Sequence, residues 1–269
     1  MKMYNEKSLD TLCAALCNII GIDAPSNANT ANEELISYAG NIFGSEKADR
    51  IFMYNPDAVA QWIYEKYPNL MKEAISRTEL QLPMKTVMPS VTPVCFGTMY
   101  TGTQPSVHGI QKYEKPVIRI ETIFDAFIKA GKKPVIIADS SCSIGKIFLE
   151  REMDYFIYDT YEEINAKACE IILEDKYDLV VVYNGNYDSL MHKHGPESVE
   201  ALAELRANSR TFGMFDELIK KNWKNHNTLL GFAMDHGCHE IDGNCGSHGL
   251  DMEEDLNIVH LYKAYRKES

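Results

Sequence analysis

Positive charge is scarce in this 269-residue chain: 27 lysines and arginines stand against 39 aspartates and glutamates, for a net charge of −12. Such a balance repels nucleic-acid duplexes and anionic membranes, so neither is an expected partner. No apolar run approaches the roughly 18 residues that a membrane-spanning helix needs, which speaks against insertion. Repeats, low-complexity tracts and Pro/Ser-rich linkers are lacking too. The expectation is one domain over residues 1–269, with residues 1–48 as a helical N-terminal extension. The seven cysteines are an odd number that fits no regular disulfide framework, and no apolar leader with a small-residue cleavage site precedes them. A reducing, cytoplasmic setting is expected.

Apolar residues make up 45% of the chain, enough for a large core. Leu9, Leu12, Leu16, Ile19 and Ile20 recur at helical spacing and predict an amphipathic helix over 8–20, whose apolar face could serve the core or a homo-oligomer. Four runs of β-branched and bulky residues, at 50–54, 135–138, 179–183 and 229–234, predict buried strands. Between them, helical patterns cover 58–67, 122–130, 161–174 and 197–221. The alternation predicts an α/β fold with a mainly parallel central sheet, helices on both faces and no large cap domain. Functional groups should gather beyond the carboxyl ends of the strands.

The polar residues at those ends are of one kind. Asp57, Asp188 and Asp235 each follow a predicted strand within a few residues. Five of the eight histidines, His192, His194, His236, His239 and His248, fall in two short segments with Asp188 and Asp235. Asp188 and His192 are four residues apart and share a face if the segment is helical. Gly237, Gly243, Gly246 and Gly249 are expected to supply the turns that return His248 to the same place. Any one such residue has an ordinary structural explanation, as a helix cap or a satisfied histidine. Together, carboxylates and imidazoles without a thiolate pattern suit zinc or manganese rather than an iron–sulfur cluster.

Between Met88 and Ile110 the chain carries Thr92-Pro93, then Thr101-Gly102, Pro105 and His108-Gly109. This stretch resembles the nucleophile region of the alkaline phosphatase superfamily, which includes the nucleotide pyrophosphatase/phosphodiesterases, sulfatases and cofactor-independent phosphoglycerate mutases. The nucleophile there stands nine residues before the threonine of the Thr-Gly pair, which is Thr92. Asp188 with His192, Asp235-His236-Gly237 and a final His248 follow in the superfamily's order. Cys95 is out of register for a sulfatase nucleophile and is expected to be a buried thiol. The mutase branch needs a large insertion for which this chain has little room.

The resemblance is strongest to the nucleotide pyrophosphatase/phosphodiesterase branch and implies two divalent metal ions, Zn2+ first and Mn2+ second. Asp188, His192 and His248 would hold one ion, and Asp57, Thr92, Asp235 and His236 the other. The implied activity is hydrolysis of a phosphodiester or nucleotide pyrophosphate through a phospho-threonine at Thr92. A phosphomonoesterase, a phosphoryl transferase and a non-catalytic metal-binding relative stay open as alternatives. No asparagine occurs between Thr92 and Asn165, where phosphodiesterases carry one, so Gln111, Lys112 or Tyr113 would substitute. Lys112, His194 and His239 are the expected contacts to a nucleotide or other small phosphate ester, and His108 is expected to fix the turn after the nucleophile helix.

Overall fold

A computed structural model describes residues 3–268. Its centre is a seven-stranded sheet in the order β2-β9-β6-β1-β5-β3-β4. The strands are β1 (Arg50–Pro56), β2 (Leu80–Lys85), β3 (Pro134–Asp139), β4 (Asp154–Tyr158), β5 (Leu179–Asn184), β6 (Thr228–Phe232) and β9 (Asn257–Tyr265). β6, β1, β5, β3 and β4 are mutually parallel, and β9 runs antiparallel to both of its neighbours. Two short strands, β7 (His239–Ile241) and β8 (Cys245–Ser247), form a separate hairpin.

The four predicted strands, β1, β3, β5 and β6, are four of the five inner ones, because strands covered on both faces read as unbroken apolar runs. In β1, Phe52 and Tyr54 pack on Phe215 of the helix Val199–Asn222. The next residue, Asn55, faces the opposite layer and accepts a 2.6 Å bond from Tyr100 of the helix Thr92–Thr101. Helices Tyr161–Glu174 and Val199–Asn222 form the first layer. Thr92–Thr101, Leu12–Ile20 and Ile123–Lys129 pack together in the other. The N-terminal helix Leu12–Ile20 is built into the same core: Leu12, Cys13, Ala15, Leu16 and Cys17 are fully buried in it.

β2, β4 and β9 were not among the predicted strands. β2 and β4 are the sheet's edges, and β2 alternates buried and exposed residues and contains Pro83, which breaks the pattern of a buried strand. β4 is half exposed along its length. The helix predicted from residue 58 begins at Gln61. Ala58 has φ +62°, so the chain leaves β1 through a left-handed residue before it can enter a helix. All seven cysteines are unpaired, and Cys95 is the expected buried thiol, accepting from the Thr86 hydroxyl at 3.1 Å. No described helix is long and apolar enough to cross a membrane.

Candidate metal centre

β6, β1 and β5 lie side by side, so their carboxyl ends open on one place. Asp57 directly follows β1, and its N–H extends the ladder to the Asn184 carbonyl at 2.9 Å. The left-handed Ala58 then turns its own N–H toward Asp235 Oδ1, 3.2 Å away, which ties the exit of β1 to the loop after β6. Asp188 and His192 sit one turn apart on the helix Asn186–His194 that follows β5. His248 arrives from the β7–β8 hairpin.

Two groups result. In one, ligand atoms of Asp188, His192 and His248 all lie within 4.8 Å of one another; in the other, those of Asp57, Asp235 and His236 do. The His236 and His248 rings join the groups, stacking at 4.1 Å between centroids. Thr92, the first residue of its helix, places Oγ1 3.3 Å from Asp57 Oδ2 and 3.3 Å from His236 Nε2.

The histidines are all held in one sense. His192 Nδ1–H donates to the Gly246 carbonyl, His236 Nδ1–H to that of Gly237 and His248 Nδ1–H to that of Ser90, each at 2.9 Å. Every Nε2 therefore faces the cluster. His192 Nε2 and His248 Nε2 stand 3.0 Å apart, and both point at Asp188 Oδ1 from 3.3 and 3.4 Å. That oxygen, Asp57 Oδ1 and Asp235 Oδ2 are buried without a hydrogen-bond partner. Imidazole nitrogens and carboxylate oxygens crowded this closely repel one another unless a proton or a metal cation lies between them, so the donor set fits divalent metal ions.

The electrostatics agree. Burial, reinforced by the charge of Asp188, raises Asp57 to about 7, with the Tyr183 hydrogen bond opposing. Burial also lifts Asp235 far above the carboxylate range, with Asp57 adding. For Asp188 burial pushes upward, but the His192 and His248 imidazoles outweigh it and hold the group low. His192 is raised to about 9, chiefly by the Asp188 carboxylate 3.3 Å from its Nε2, whereas burial holds His236 well below the usual imidazole range and therefore neutral. Three carboxylates this close resist full ionisation without added positive charge.

A sequence model of the type I phosphodiesterase / nucleotide pyrophosphatase family matches residues 54–116 and 138–268, well over half of the chain. The chain belongs to this family. All six residues of the two groups, and Thr92, fall within the matched segments of this phosphodiesterase-family chain. Over 73 residues it is 37% identical to human ectonucleotide pyrophosphatase/phosphodiesterase family member 7, covering 27% of this chain and 16% of that protein. Its fold is that of murine ectonucleotide pyrophosphatase/phosphodiesterase 5, solved as an inactive threonine-to-alanine variant in complex with AMP. The TM-score is 0.58 at 17% identity, over 72% of this chain and 59% of that one. The human counterpart gives 0.56 at 16% identity, over 72% and 58%. The phosphodiesterase-family chain thus spans less than two thirds of the relatives it matches.

The remaining expected contacts lie outside both groups. Lys112 is exposed and its ammonium pairs with Glu114 at 3.4 Å. His194 ends the helix that carries His192. His239 Nδ1–H donates to the fully buried Asp255 at 2.7 Å, which anchors the start of the β7–β8 hairpin. His108 does fix the turn after the helix Thr92–Thr101, through Thr98 at 3.1 Å. Of the four glycines expected to turn the chain, Gly243 and Gly249 have positive φ, but Gly237 and Gly246 do not. Those two are required by close packing instead. A Cβ on Gly246 would overlap Met191 Sδ and stand 2.9 Å from the Met191 carbonyl. Gly246→Ala is expected to destabilise the fold by about 1–3 kcal/mol through this overpacking, which thermal denaturation measures; an unchanged Tm contradicts the close approach.

Sequence reasoning did not anticipate Tyr183, whose hydroxyl donates to Asp57 Oδ2. Its position at the end of the predicted strand 179–183, shortly before Asp188, was the available signal. Tyr183→Phe leaves Asp57 without this anchor and is expected to lower metal affinity by about 10–100-fold, the usual cost of losing a group that orients a ligand. Metal titration monitored by calorimetry checks it.

Proposed function

We propose that the chain hydrolyses phosphodiester or nucleotide pyrophosphate bonds with two divalent metal ions, zinc before manganese, and Thr92 as nucleophile. Asp188, His192 and His248 would hold one ion; Asp57, Asp235, His236 and the Thr92 hydroxyl would hold the other. The observation that carries this reading is the convergence of three unpartnered carboxylate oxygens and three oriented Nε2 atoms beside a hydroxyl at a helix N-terminus.

When bound, divalent ions supply Lewis-acid charge that lowers the pKa of a hydroxyl and neutralises phosphoryl oxygens. The protein's part is positioning. The bond from Thr92 Oγ1–H to Asp57 Oδ2 turns the hydroxyl toward the cluster. Charge developing on Oγ1 lies at the positive end of the ten-residue helix Thr92–Thr101. Attack of Oγ1 on phosphorus forms the Oγ1–phosphorus bond and breaks the bond to the leaving alcohol or nucleotide, which takes up the hydroxyl proton. Water then cleaves the Oγ1–phosphorus bond, returning one proton to Oγ1 and releasing the phosphate monoester. The AMP held by the murine relative supports a nucleotide as one half of the substrate.

The test pairs elemental analysis of protein purified without chelator with assays on nitrophenyl phosphodiester, monoester and sulfate substrates. About two equivalents of metal with diester cleavage is the expected result. Absence of bound metal together with inactivity after zinc or manganese addition overturns the proposal.

A further inference from the structure

Beside the cluster, at the carboxyl end of β5, lies a concavity of about 380 Å³. Tyr161 and Asn165 form one wall, Asn184 and Asn186 at the exit of β5 a second, and Glu204 and Thr211 of the helix Val199–Asn222 a third. The volume suits a small-molecule ring.

The walls decide what can enter. Amides and hydroxyls dominate, each able to donate and accept, and the lining includes neither lysine nor arginine. Asn165 Oδ1 is buried with no hydrogen-bond partner. An anion would meet the Glu162 and Glu204 carboxyls with no compensating cation. A metal ion would find no third carboxylate, imidazole or thiolate in the wall. An apolar group would leave the amides unpaired, which is costly in a half-closed site. A neutral molecule carrying several hydroxyls satisfies donors and acceptors together.

The cavity adjoins the metal centre through the loop 183–188. Asn184 lines the cavity while its carbonyl accepts the Asp57 N–H, and Asp188 follows four residues later. The hydroxyls of Tyr161 and Tyr183 both border Gly185: a Cβ there would overlap Tyr183 and stand 3.0 Å from the Tyr161 hydroxyl. Tyr161 belongs to the cavity wall, and Tyr183 donates to Asp57. Tyr183 and Gly185 belong to the segment that links the two sites, and the Tyr161 phenol borders it.

We propose that the cavity binds the uncharged, hydroxyl-rich alcohol portion of the phosphate ester, a sugar or comparable polyol, whose phosphoryl group is cleaved at the adjoining metal centre. This rests on the hydrolase reading above and adds the substrate class. Two substrates that both release nitrophenol separate the contributions: the 4-nitrophenyl phosphodiester of glucose at its 6-hydroxyl, and bis(4-nitrophenyl) phosphate, which has no sugar. Wild-type protein should prefer the sugar ester in kcat/KM. In Thr211→Val, Asn165→Leu and Glu204→Gln, the ratio of the two kcat/KM values is expected to fall about tenfold, the effect of losing one such hydrogen bond. Three separate variants guard against one that fails to fold. An unchanged ratio in all folded variants, or no preference in the wild type, overturns the proposal.

Binding of methyl α-D-glucopyranoside, followed by saturation-transfer NMR, gives a readout independent of turnover. Signal with wild-type protein that is lost in Thr211→Val supports the cavity as a polyol site, and no signal with wild-type protein counts against it. Should the wild type cleave neither ester with zinc or manganese, the hydrolase reading fails while this measurement still decides whether the cavity takes a polyol.

Discussion

Replacing Thr92 with alanine is expected to lower kcat by on the order of 10⁴-fold, as removal of a catalytic nucleophile does elsewhere, while both metal ions remain bound. Thr92 is nearly fully buried, and its Oγ1 is the hydroxyl that reaches both Asp57 Oδ2 and His236 Nε2 at 3.3 Å. Alanine retains Cβ, leaves the helix N-terminus intact and touches none of the Nδ1–carbonyl bonds that orient the three histidines. The chemistry is therefore lost without the site. Single-turnover kinetics, with elemental analysis and a thermal melt on the same preparation, separate loss of nucleophile from loss of metal. A variant that keeps its metals and a rate within tenfold of wild type excludes Thr92 as nucleophile and moves the attack to water.

Stripping the metal ions is expected to abolish turnover and lower Tm by about 10 °C. An ion present at about a thousand times its Kd contributes about 4 kcal/mol of stability, and each kcal/mol moves the Tm of a chain of this size by roughly 2–4 °C. The reason lies in Asp57, Asp188 and Asp235, each with a buried oxygen that the protein leaves without a hydrogen-bond partner. Without a cation, their mutual repulsion and the desolvation that raises Asp57 and Asp235 act directly on the fold. Differential scanning calorimetry before and after chelation, then after zinc or manganese return, measures the effect. Equal Tm values and undiminished turnover in the chelated protein would rule out metal-dependent catalysis.

Much of the candidate site was legible beforehand because its chemistry depends on residue type. Asp57, Asp188 and Asp235 announce themselves by following apolar runs, and His192, His236 and His248 by their spacing from those aspartates. The residues that make these side chains usable were harder to see. His192, His236 and His248 are oriented by the carbonyls of Gly246, Gly237 and Ser90, and a backbone carbonyl has no signature in a side-chain sequence. Lys112 was expected to stand in for the asparagine missing after Thr92, yet its ammonium pairs with Glu114 at the surface.

The sequence by itself determined the α/β alternation, four of the five inner strands and the donor set, since burial on both faces and ligand chemistry both require particular residue types in particular local patterns. Tertiary structure alone decided that β6, β1 and β5 would be neighbours, that β9 would run against them, and that Tyr183 and Tyr161 would meet across Gly185. Strand order and close approach depend on which distant surfaces pack together, and no local pattern encodes that choice.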